Sequence, residues 1–423
     1  MQTEARAFRM TAPRVLVGLM ALSLFINYID RGNLATGATQ IRADLGLSAT
    51  GYGALAAGFY FAYAFCQLPA GALSDRLGGK LVLGIGALLW SVSTLLTGFV
   101  QGFMGLLILR MMLGMGESVA FTTTSKIIAS NVPRAQLGLA NGVIGFGYLV
   151  GPAVGTLLGG LMMARWGWRA TFGLFGAVSL LWLIPWSRVR INEARPAQGS
   201  SQQPVTMRQI LGRRALWGAS LGHFAGNWNW YFILGYLPMY LEMQRGFSKA
   251  HMATVVSSAY LINALAALFA GWALDKAIQK GWSPSLSLKL PLAAAHIAGL
   301  VCMVAMPAMP IGICITLLFV YELFLGFSCP AYFMIPQIMA GPSAAARWVG
   351  VQNMMGNMPG VIGVLFAGLL IDASGGSFAT AFLLAGLVNI LGLVGWLGIL
   401  PKVEPIDWDA HAVADGGTVA GAA

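Results

Sequence analysis

Two charged residues, Asp30 and Arg31, stand side by side in an otherwise apolar stretch from Val15 to Ala38. That stretch is long enough to cross a bilayer, where a charged side chain costs on the order of 3 kcal/mol on insertion scales. Arg31 offers a planar, permanently charged fork for a carboxylate, whereas Asp30 can gain and lose a proton. The pair therefore predicts an intramembrane site for an organic anion and a proton.

A second pair of opposite charge, Arg110 and Glu117, lies in another apolar stretch. The two residues are seven apart, which places them on one face of a helix, two turns from each other. A structural alternative is that the four charged groups form salt bridges that hold two helices together. We favour a functional role and place Arg110 among the substrate-binding residues, because ionisable residues inside membranes usually mark a substrate, ion or proton path.

Polar residues in the second half of the chain also fall in apolar stretches, notably Asn227, Gln352 and Asn353. Buried amides need hydrogen-bond partners, and a polar ligand supplies them, so we assign these three residues to substrate binding. Tyr28 and Tyr63 either donate hydrogen bonds to the substrate or only pack. Two further residues each allow two interpretations. His223 is a pH sensor or a neutral buried group, and Glu322 is an extra coupling acid or a locally satisfied one.

The elements that must position these residues are membrane helices. Of the 423 residues, 57% are hydrophobic and 9% are charged, and the mean hydropathy of +0.74 excludes an ordinary soluble globular protein. Twelve apolar runs of roughly 20 residues predict an all-α membrane protein. The runs begin near Val15, Gly51, Leu81, Met104, Leu137, Ala170, Ala215, Met252, Leu290, Ile311, Trp348 and Phe378.

We divide the chain into two six-helix bundles at 1–187 and 215–400, a linker at 188–214 and a tail at 401–423. The net charge of +11 comes from lysines and arginines that segregate by loop, so by the positive-inside rule both termini and the linker are cytoplasmic. The charge thus reflects topology and contact with the lipid bilayer, and we predict no nucleic-acid partner. The residues on the cytoplasmic side, besides those of the linker, are Arg6, Arg9, Arg14, Arg76, Lys80, Arg134, Lys276, Lys280 and Lys289.

An internal repeat relates the two predicted bundles. Gly-Ala-Leu-Ser-Asp-Arg at 71–76 is matched by Gly-Trp-Ala-Leu-Asp-Lys at 271–276, at an offset of 200 residues. Repeated halves are typical of secondary transporters, in which the substrate binds near the bilayer midplane between them. We therefore expect a pseudo-twofold pair of bundles.

The run at 71–80, Gly-Ala-Leu-Ser-Asp-Arg-Leu-Gly-Gly-Lys, resembles the loop signature of the major facilitator superfamily. It implies a conformational role for Gly71, Asp75 and Arg76, and we expect Asp75 to lie against helix N-termini, where an anion is favoured. The resemblance implies a twelve-helix major facilitator fold.

Three further patterns resemble the anion:cation symporter family of that superfamily, which includes bacterial sugar-acid:proton symporters. They are Tyr-x-Asp-Arg-x-Asn-Leu-Ala at 28–35, the spacing of Arg110 and Glu117, and Tyr63 followed by Cys-Gln-Leu-Pro at 66–69. The resemblance implies that Asp30 and Glu117 couple protons, that Arg31 binds the substrate carboxylate and that Asn353 contacts the substrate.

The chain departs from a galactonate carrier of that family at the predicted site. Tyr148 stands where the carrier has a glutamine, and Cys329 and Ala331 stand where it has hydroxyl residues. We place Tyr148 in the substrate site. A site with fewer hydrogen-bonding groups leaves a polyol unsatisfied, which favours a less hydroxylated carboxylate, aromatic or short-chain. A sugar acid stays an alternative because the amide cluster is sizeable.

We predict a proton-coupled importer of a small organic anion that works by alternating access, without a cofactor or metal, as a monomer in the bacterial inner membrane. The alternative is a proton/drug antiporter, because Gly147, Gly151, Pro152 and Gly155 resemble a motif of such exporters. Small residues at this spacing also simply let helices pack closely. An enzyme is not expected, because the sequence has no nucleophile–base set, metal-ligand cluster or phosphate loop.

Overall fold

The computed structural model describes residues 2–47, 49–192 and 205–408, and the regular elements in these ranges are all helical. Residues 193–204 of the predicted linker and residues 409–423 of the predicted tail lie outside them. The helices of the first half are α1 (Gln2–Thr36), α2 (Ala38–Leu45), α3 (Ala49–Leu77), α4 (Gly79–Thr97), α5 (Phe103–Asn131), α6 (Leu137–Leu181) and α7 (Leu183–Arg188).

The helices of the second half are α8 (Met207–Leu211), α9 (Arg214–Met239), α10 (Lys249–Gln279), α11 (Pro284–Ala305), α12 (Ile311–Met339), α13 (Gly341–Ala373) and α14 (Ala379–Leu393). Short 3-10 turns occupy Arg134–Gln136 and Met306–Ala308, and π-helical turns extend α9 and α14 over Tyr240–Gln244 and Val394–Ile399.

The apolar runs predicted from the sequence fall in the long helices. Nine helical segments of the described ranges are long and apolar enough to cross a membrane. One of them, Arg134–Arg188, has 55 residues, far more than the roughly 20 that one crossing needs. It is interrupted at Gly167, whose φ of 76° and ψ of 167° are accessible mainly to glycine. The predicted fifth and sixth runs are therefore the two parts of α6 on either side of this break.

The helices form two bundles that meet along two lines. In the first half α1 packs against α6, and α5 packs against α3 and α4. In the second half α9 packs against α13, and α12 packs against α10 and α11. Across the boundary, α6 contacts α10 and α3 contacts α13. Large apolar side chains such as Phe61, Leu157 and Leu365 point outward, as expected for surfaces that face lipid.

Glycines of the internal repeat lie where the bundles approach most closely. A methyl group at Gly71 in α3 would lie 2.8 Å from the carbonyl oxygen of Ala346 in α13. Gly271 in α10 faces Gly138 in α6, and a methyl group on either would collide with the backbone of the other. Both repeat glycines thus contact the opposite bundle, at the end of the molecule that carries Asp75 and Asp275.

Candidate functional site

A cavity lies between the two bundles and is partly open to solvent; its unfilled space, counted together with that opening, is about 620 Å³. Its aromatic wall consists of Tyr28, Tyr63, Phe121, Tyr148, Trp230, Tyr231, Tyr332 and Phe333. Its amide wall consists of Asn227, Asn263, Asn353 and Asn357, and His223, Cys329, Gly226, Leu149 and Leu325 complete the lining.

Arg31 is not itself among the residues that line this cavity, but its guanidinium lies against the rings of two residues that are. Its guanidinium carbon is 4.4 Å from the ring centre of Tyr28 and 4.5 Å from that of Tyr63, and both tyrosines line the cavity. Its Nη2 and Nε donate to Oε2 of Glu117 over 2.8 and 3.1 Å. Aromatic faces and a carboxylate together stabilise a cation away from water. The side chain is nevertheless 11% exposed, so a ligand in the cavity can approach it.

Glu117, the partner of Arg31, has one carboxylate oxygen that accepts hydrogen bonds from Arg31 and one without a partner. Its side chain is fully buried, and Oε1 has no hydrogen-bond partner. A buried ion pair gives little net stability, because desolvation offsets much of the attraction.

Asp30 points away from Arg31, as the roughly 100° between successive helical residues requires. It is buried, its Oδ2 accepts a hydrogen bond from Ser179 of α6 over 3.1 Å, and its Oδ1 has no partner. It is not among the residues that line the cavity. Asp30 thus lies inside the first bundle, behind the cavity wall.

Arg110 lies in the same bundle interior. It is buried, its guanidinium carbon is 5.6 Å from the ring centre of Phe172, and its Nε has no hydrogen-bond partner. The sequence pairs Arg110 with Glu117 along one helix, whereas the structure pairs Glu117 with Arg31 across two helices. Arg110, like Asp30, is absent from the cavity lining.

Residues of the aromatic wall contact one another and their neighbours in the lining. The hydroxyl of Tyr148 and the thiol of Cys329 form a hydrogen bond of 3.1 Å between α6 and α12. The rings of Tyr28 and Tyr148 are 5.2 Å apart, and those of Phe121 and Phe333 stack at 5.1 Å. On this side of the cavity the hydroxyl of Tyr148 is therefore already bonded, and the rings pack against one another.

The amide wall carries the polar groups of the second bundle. Asn227 Nδ2 donates to the carbonyl oxygen of Gly356 over 2.6 Å, and Asn357 Oδ1 accepts from the hydroxyl of Tyr231 over 2.6 Å. Asn353 Nδ2 has no hydrogen-bond partner although the residue is buried. A buried amide N–H without a partner is costly, which makes it a donor ready for a ligand oxygen.

Gln352 lies beside the amide wall but not in the cavity lining. Its Nε2 donates to the carbonyl oxygen of Tyr332 over 3.0 Å, and its Oε1 accepts from Trp348 Nε1 over 3.1 Å. It therefore links α12 to α13. His223 does line the cavity, with its ring 4.9 Å from that of Tyr332.

Several lining residues that the sequence did not single out lie one helical turn beyond residues that it did. Phe121 follows Glu117, Tyr231 follows Asn227, Phe333 follows Cys329 and Asn357 follows Asn353, each by four positions. Residues four apart share a helix face, so this spacing could have identified them. Asn263 and Tyr332 had no comparable signal.

The predicted conformational loop joins the two bundles through ion pairs. Asp75 contacts Lys126 Nζ of α5 over 3.0 Å and also accepts from Nε of Arg347 in α13. Arg76 is exposed. The helix N-terminus expected for Asp75 is occupied instead by its repeat counterpart Asp275, which accepts from the backbone N–H groups of Gly138 and Leu139 over 2.7 Å each.

The glycines that suggested an exporter pack against α1. Methyl groups at Gly147 and Gly151 would lie 2.6 Å from the carbonyl oxygen of Ala21 and 2.8 Å from Cβ of Tyr28. A methyl group at Gly155 would lie 3.0 Å from Cα of Ile29. These glycines therefore bring α6 close to the helix that carries Asp30 and Arg31.

Comparisons with known proteins agree with this architecture. The family model described as Major Facilitator Superfamily matches residues 20–364. The hexuronate transporter of Bacillus subtilis is 27% identical over 394 residues, covering 90% of this chain and 92% of its own. The D-galactonate transporter of Escherichia coli is 25% identical over 418 residues, covering 92% and 95%. The probable sulfoacetate transporter of Cupriavidus necator is 27% identical over 410 residues, covering 93% and 95%.

Solved structures share the fold at lower sequence identity. The proton:xylose symporter XylE superposes with a TM-score of 0.75 at 14% identity, covering 94% of this chain and 97% of its own. The transporter FucP in its outward conformation superposes with a TM-score of 0.72 at 14% identity, covering 90% and 97%. At this identity the likeness concerns the fold alone.

Proposed function

This chain belongs to the Major Facilitator Superfamily, and we propose that it is a proton-coupled importer of a small organic anion. It is a multi-pass membrane transporter and not an enzyme, because its family and its relatives are transporters. The relatives are named for hexuronate, D-galactonate and sulfoacetate, which are all organic anions. These names support an anion as the substrate here.

The proposed topology has twelve membrane crossings with both termini in the cytoplasm of a bacterial cell, and the protein acts as a monomer in the inner membrane. The crossings are α1, α3, α4, α5, the two parts of α6, and α9 to α14. Arg134, Lys276 and Lys280 then lie at the same end as Asp75, in accordance with the positive-inside rule.

One observation carries the substrate class: the guanidinium of Arg31 lies against two rings of the cavity lining and is shared with Glu117. A carboxylate in the cavity accepts from that guanidinium in place of Glu117. Glu117, once separated from its cation, is more stable as the neutral acid, so substrate binding and proton uptake favour each other. Asp30, buried behind the wall with one free oxygen, supplies the second protonation site of this bundle.

Alternating access follows from the two contacts between the bundles. Asp75 with Lys126 and Arg347, and Asp275 with the N-terminus of α6, hold the cytoplasmic end closed. The anion and its protons enter from the opposite side. The bundles then rock about the cavity, these contacts break, and the cargo leaves to the cytoplasm.

The lining favours a carboxylate with few hydroxyl groups. Ring faces dominate one wall, and the hydroxyl of Tyr148 is engaged by Cys329. The free donor of Asn353 and the other amides bind a small number of ligand oxygens. An aromatic or short-chain carboxylate fits this lining better than a polyol acid, which leaves more hydroxyl groups unpaired.

Uptake into proteoliposomes tests this proposal. The probes are labelled benzoate, sulfoacetate, D-glucuronate and D-galactonate, each offered with an inward proton gradient. We expect concentrative uptake of at least one carboxylate that an uncoupler abolishes, with benzoate or sulfoacetate preferred. Protein-free liposomes control for passive entry of neutral acids. No uptake of any probe, or equal uptake with and without the uncoupler, would contradict proton-coupled anion import.

The alternative, a proton/drug antiporter, is tested in the same vesicles. It predicts that a lipophilic cation drives proton efflux, while the carboxylates stay outside. The contacts of Gly147, Gly151 and Gly155 with α1 support the packing interpretation of the glycine series.

A further inference from the structure

A third buried acid, Glu322, lies in the second bundle and has no part in the site described above. It is in α12, its side chain is fully buried, and its Oε2 accepts a hydrogen bond of 2.6 Å from Asn263 Nδ2 of α10. Its other oxygen, Oε1, has no hydrogen-bond partner. None of the ion pairs found in the described ranges involves Glu322.

The groups that face Glu322 are neutral. Tyr260 approaches from α10, next to Asn263, and Tyr321 is the adjacent residue of α12. Cys302 of α11 and Asn229 of α9 lie near Tyr321. No cation faces the carboxyl from these helices within the described part of the chain. Glu117 therefore differs from Glu322, because an arginine balances its charge.

Asn263, which donates the hydrogen bond that Glu322 accepts, connects Glu322 to the cavity. Asn263 is one of the residues that line the space between the bundles. The carboxyl is thus one hydrogen bond away from the substrate site, and water in the cavity can reach it when the bundles move. An acid satisfied only for packing would have both oxygens bonded, whereas Oε1 is left free.

We propose that Glu322 is a third proton-coupling carboxyl, located in the C-terminal bundle, which exchanges its proton with the cavity beside Asn263. This inference rests on the proposed function. In the closed bundle a carboxylate without a cation is much less stable than the neutral acid, so the proton stays on Glu322. When cavity water reaches Oε1, the O–H bond breaks, water takes the proton as hydronium, and the Asn263 N–H stabilises the carboxylate that remains.

The consequence concerns the number of protons and the charge moved in each cycle. Each coupled proton adds one positive charge to the charge that moves with the carboxylate, so a proton on Glu322 makes transport carry one more positive charge inward in each cycle. Uptake then responds more steeply to membrane potential. In a tenfold proton gradient, one additional coupled proton raises the limiting accumulation ratio about tenfold.

Infrared difference spectroscopy of the reconstituted full chain tests the proton site without any substrate. The signal is the C=O stretching band of protonated carboxyl groups, recorded as the pH is changed. We expect Glu322→Gln to remove one titrating band, Glu322→Asp to retain it, and Asn263→Val to shift it to higher frequency because the hydrogen bond to the carbonyl oxygen is lost. Asp372→Asn is the matched control, since it removes an exposed acid of the same bundle.

The number of protons moved per anion tests the coupling role, with whichever carboxylate the uptake assay identifies as transported. We expect Glu322→Gln to move one proton fewer than the wild type and to make uptake respond less steeply to membrane potential, while Asp372→Asn changes neither. A spectrum of Glu322→Gln identical to that of the wild type would overturn the proposal. So would loss of the band with an unchanged proton number.

These outcomes separate this inference from the proposed function. A wild-type protein that transports none of the carboxylate probes refutes proton-coupled anion import. The infrared titration still decides in that case whether Glu322 takes up a proton. Concentrative uptake by the wild type together with unchanged behaviour of Glu322→Gln refutes the inference alone.

Discussion

The two halves of this transporter balance their charges differently. In the N-terminal half, two acids meet cations, because Glu117 pairs with Arg31 and Asp44 pairs with Arg169, whereas Asp30 meets the hydroxyl of Ser179. In the C-terminal half, charged groups meet neutral dipoles. Glu322 accepts from the amide of Asn263, and Asp275 accepts from two backbone N–H groups.

The outer end of the C-terminal half repeats this difference. Arg245 donates to the backbone carbonyl oxygens of Met306, Pro307 and Met309 over 2.9, 3.2 and 2.8 Å. A charge balanced by a charge responds to protons, salt and competing ions, whereas a charge balanced by backbone dipoles does so far less. The repeat thus keeps the loop positions but assigns exchangeable ionic contacts to the N-terminal half and fixed ones to the C-terminal half.

Removal of Arg31 tests the ionic contacts of the N-terminal half and should have the largest effect. We expect Arg31→Ala to weaken binding of the transported carboxylate by at least about 30-fold, because truncating one partner of a buried charge pair costs about 2–5 kcal/mol. Equilibrium binding of the labelled probe measures the loss. Arg42→Ala, which removes an exposed arginine of the same half, is the control.

A folding defect is separated from a binding defect by a second variant. The double variant Arg31→Ala with Glu117→Gln leaves no uncompensated buried charge, so it restores stability without restoring binding. Full binding by either variant would remove Arg31 from the site.

Asp30 tests whether a free acid of the ionic half couples a proton. Asp30→Asn keeps the shape and the Ser179 contact but cannot release a proton. We expect exchange of internal for external substrate to stay within about threefold of wild type. The limiting accumulation in a tenfold proton gradient should fall about tenfold, because one coupled proton is lost. Unchanged accumulation would exclude Asp30 from coupling.

The sequence predicts the fold well, because it depends on features that a single chain displays. Apolar runs of membrane length mark the helices, and the offset of 200 residues between Gly71 and Gly271 relates the halves. Both repeat glycines do lie at contacts between the bundles. The fifth and sixth predicted runs form one helical segment that is interrupted only at Gly167, and run length alone does not show this.

The sequence predicts the components of the site better than their pairing. Ionisable residues in apolar runs identify Asp30, Arg31, Arg110 and Glu117. The partner of Arg31 depends on how two helices, 86 residues apart in the chain, are rotated about their axes. Periodicity fixes which residues share a face but not which face meets which neighbour. The same reason hides the Tyr148–Cys329 contact and the position of Asp75 between Lys126 and Arg347.

The two cytoplasmic contacts provide a more direct comparison of the halves. Asp75→Asn weakens two ion pairs, whereas Asp275→Asn keeps one oxygen that can accept a backbone N–H. We expect the first change to open the cytoplasmic end roughly tenfold more often and the second about twofold. The measurement is the rate at which a maleimide added from the cytoplasmic side labels Cys329, a cavity residue, located by mass spectrometry.

Arg188→Gln, which removes an exposed arginine outside these contacts, controls for the loss of a surface charge. Equal labelling rates for the Asp75 and Asp275 variants would mean that the two contacts hold the bundles together equally, and that the contrast between ionic and backbone anchoring has no effect on gating.

The smallest expected effect concerns the outer end and depends on pH. Hydrogen bonds from Trp168 and Arg169 lower the pKa of Asp44 below its ordinary value of 3.8. A lowered pKa in the folded state means that the ionised Asp44 stabilises the protein above pH 3.8 and that this contribution is lost as the pH falls through the lowered pKa. Asp44→Asn should therefore slightly lower the Tm of the detergent-solubilised protein at pH 7, and the difference should disappear under strongly acidic conditions.

Arg245→Gln, whose partners are carbonyl oxygens, should lower the Tm equally at both pH values. A pH-dependent deficit in the Arg245 variant, or a constant one in the Asp44 variant, would contradict the distinction between the two halves.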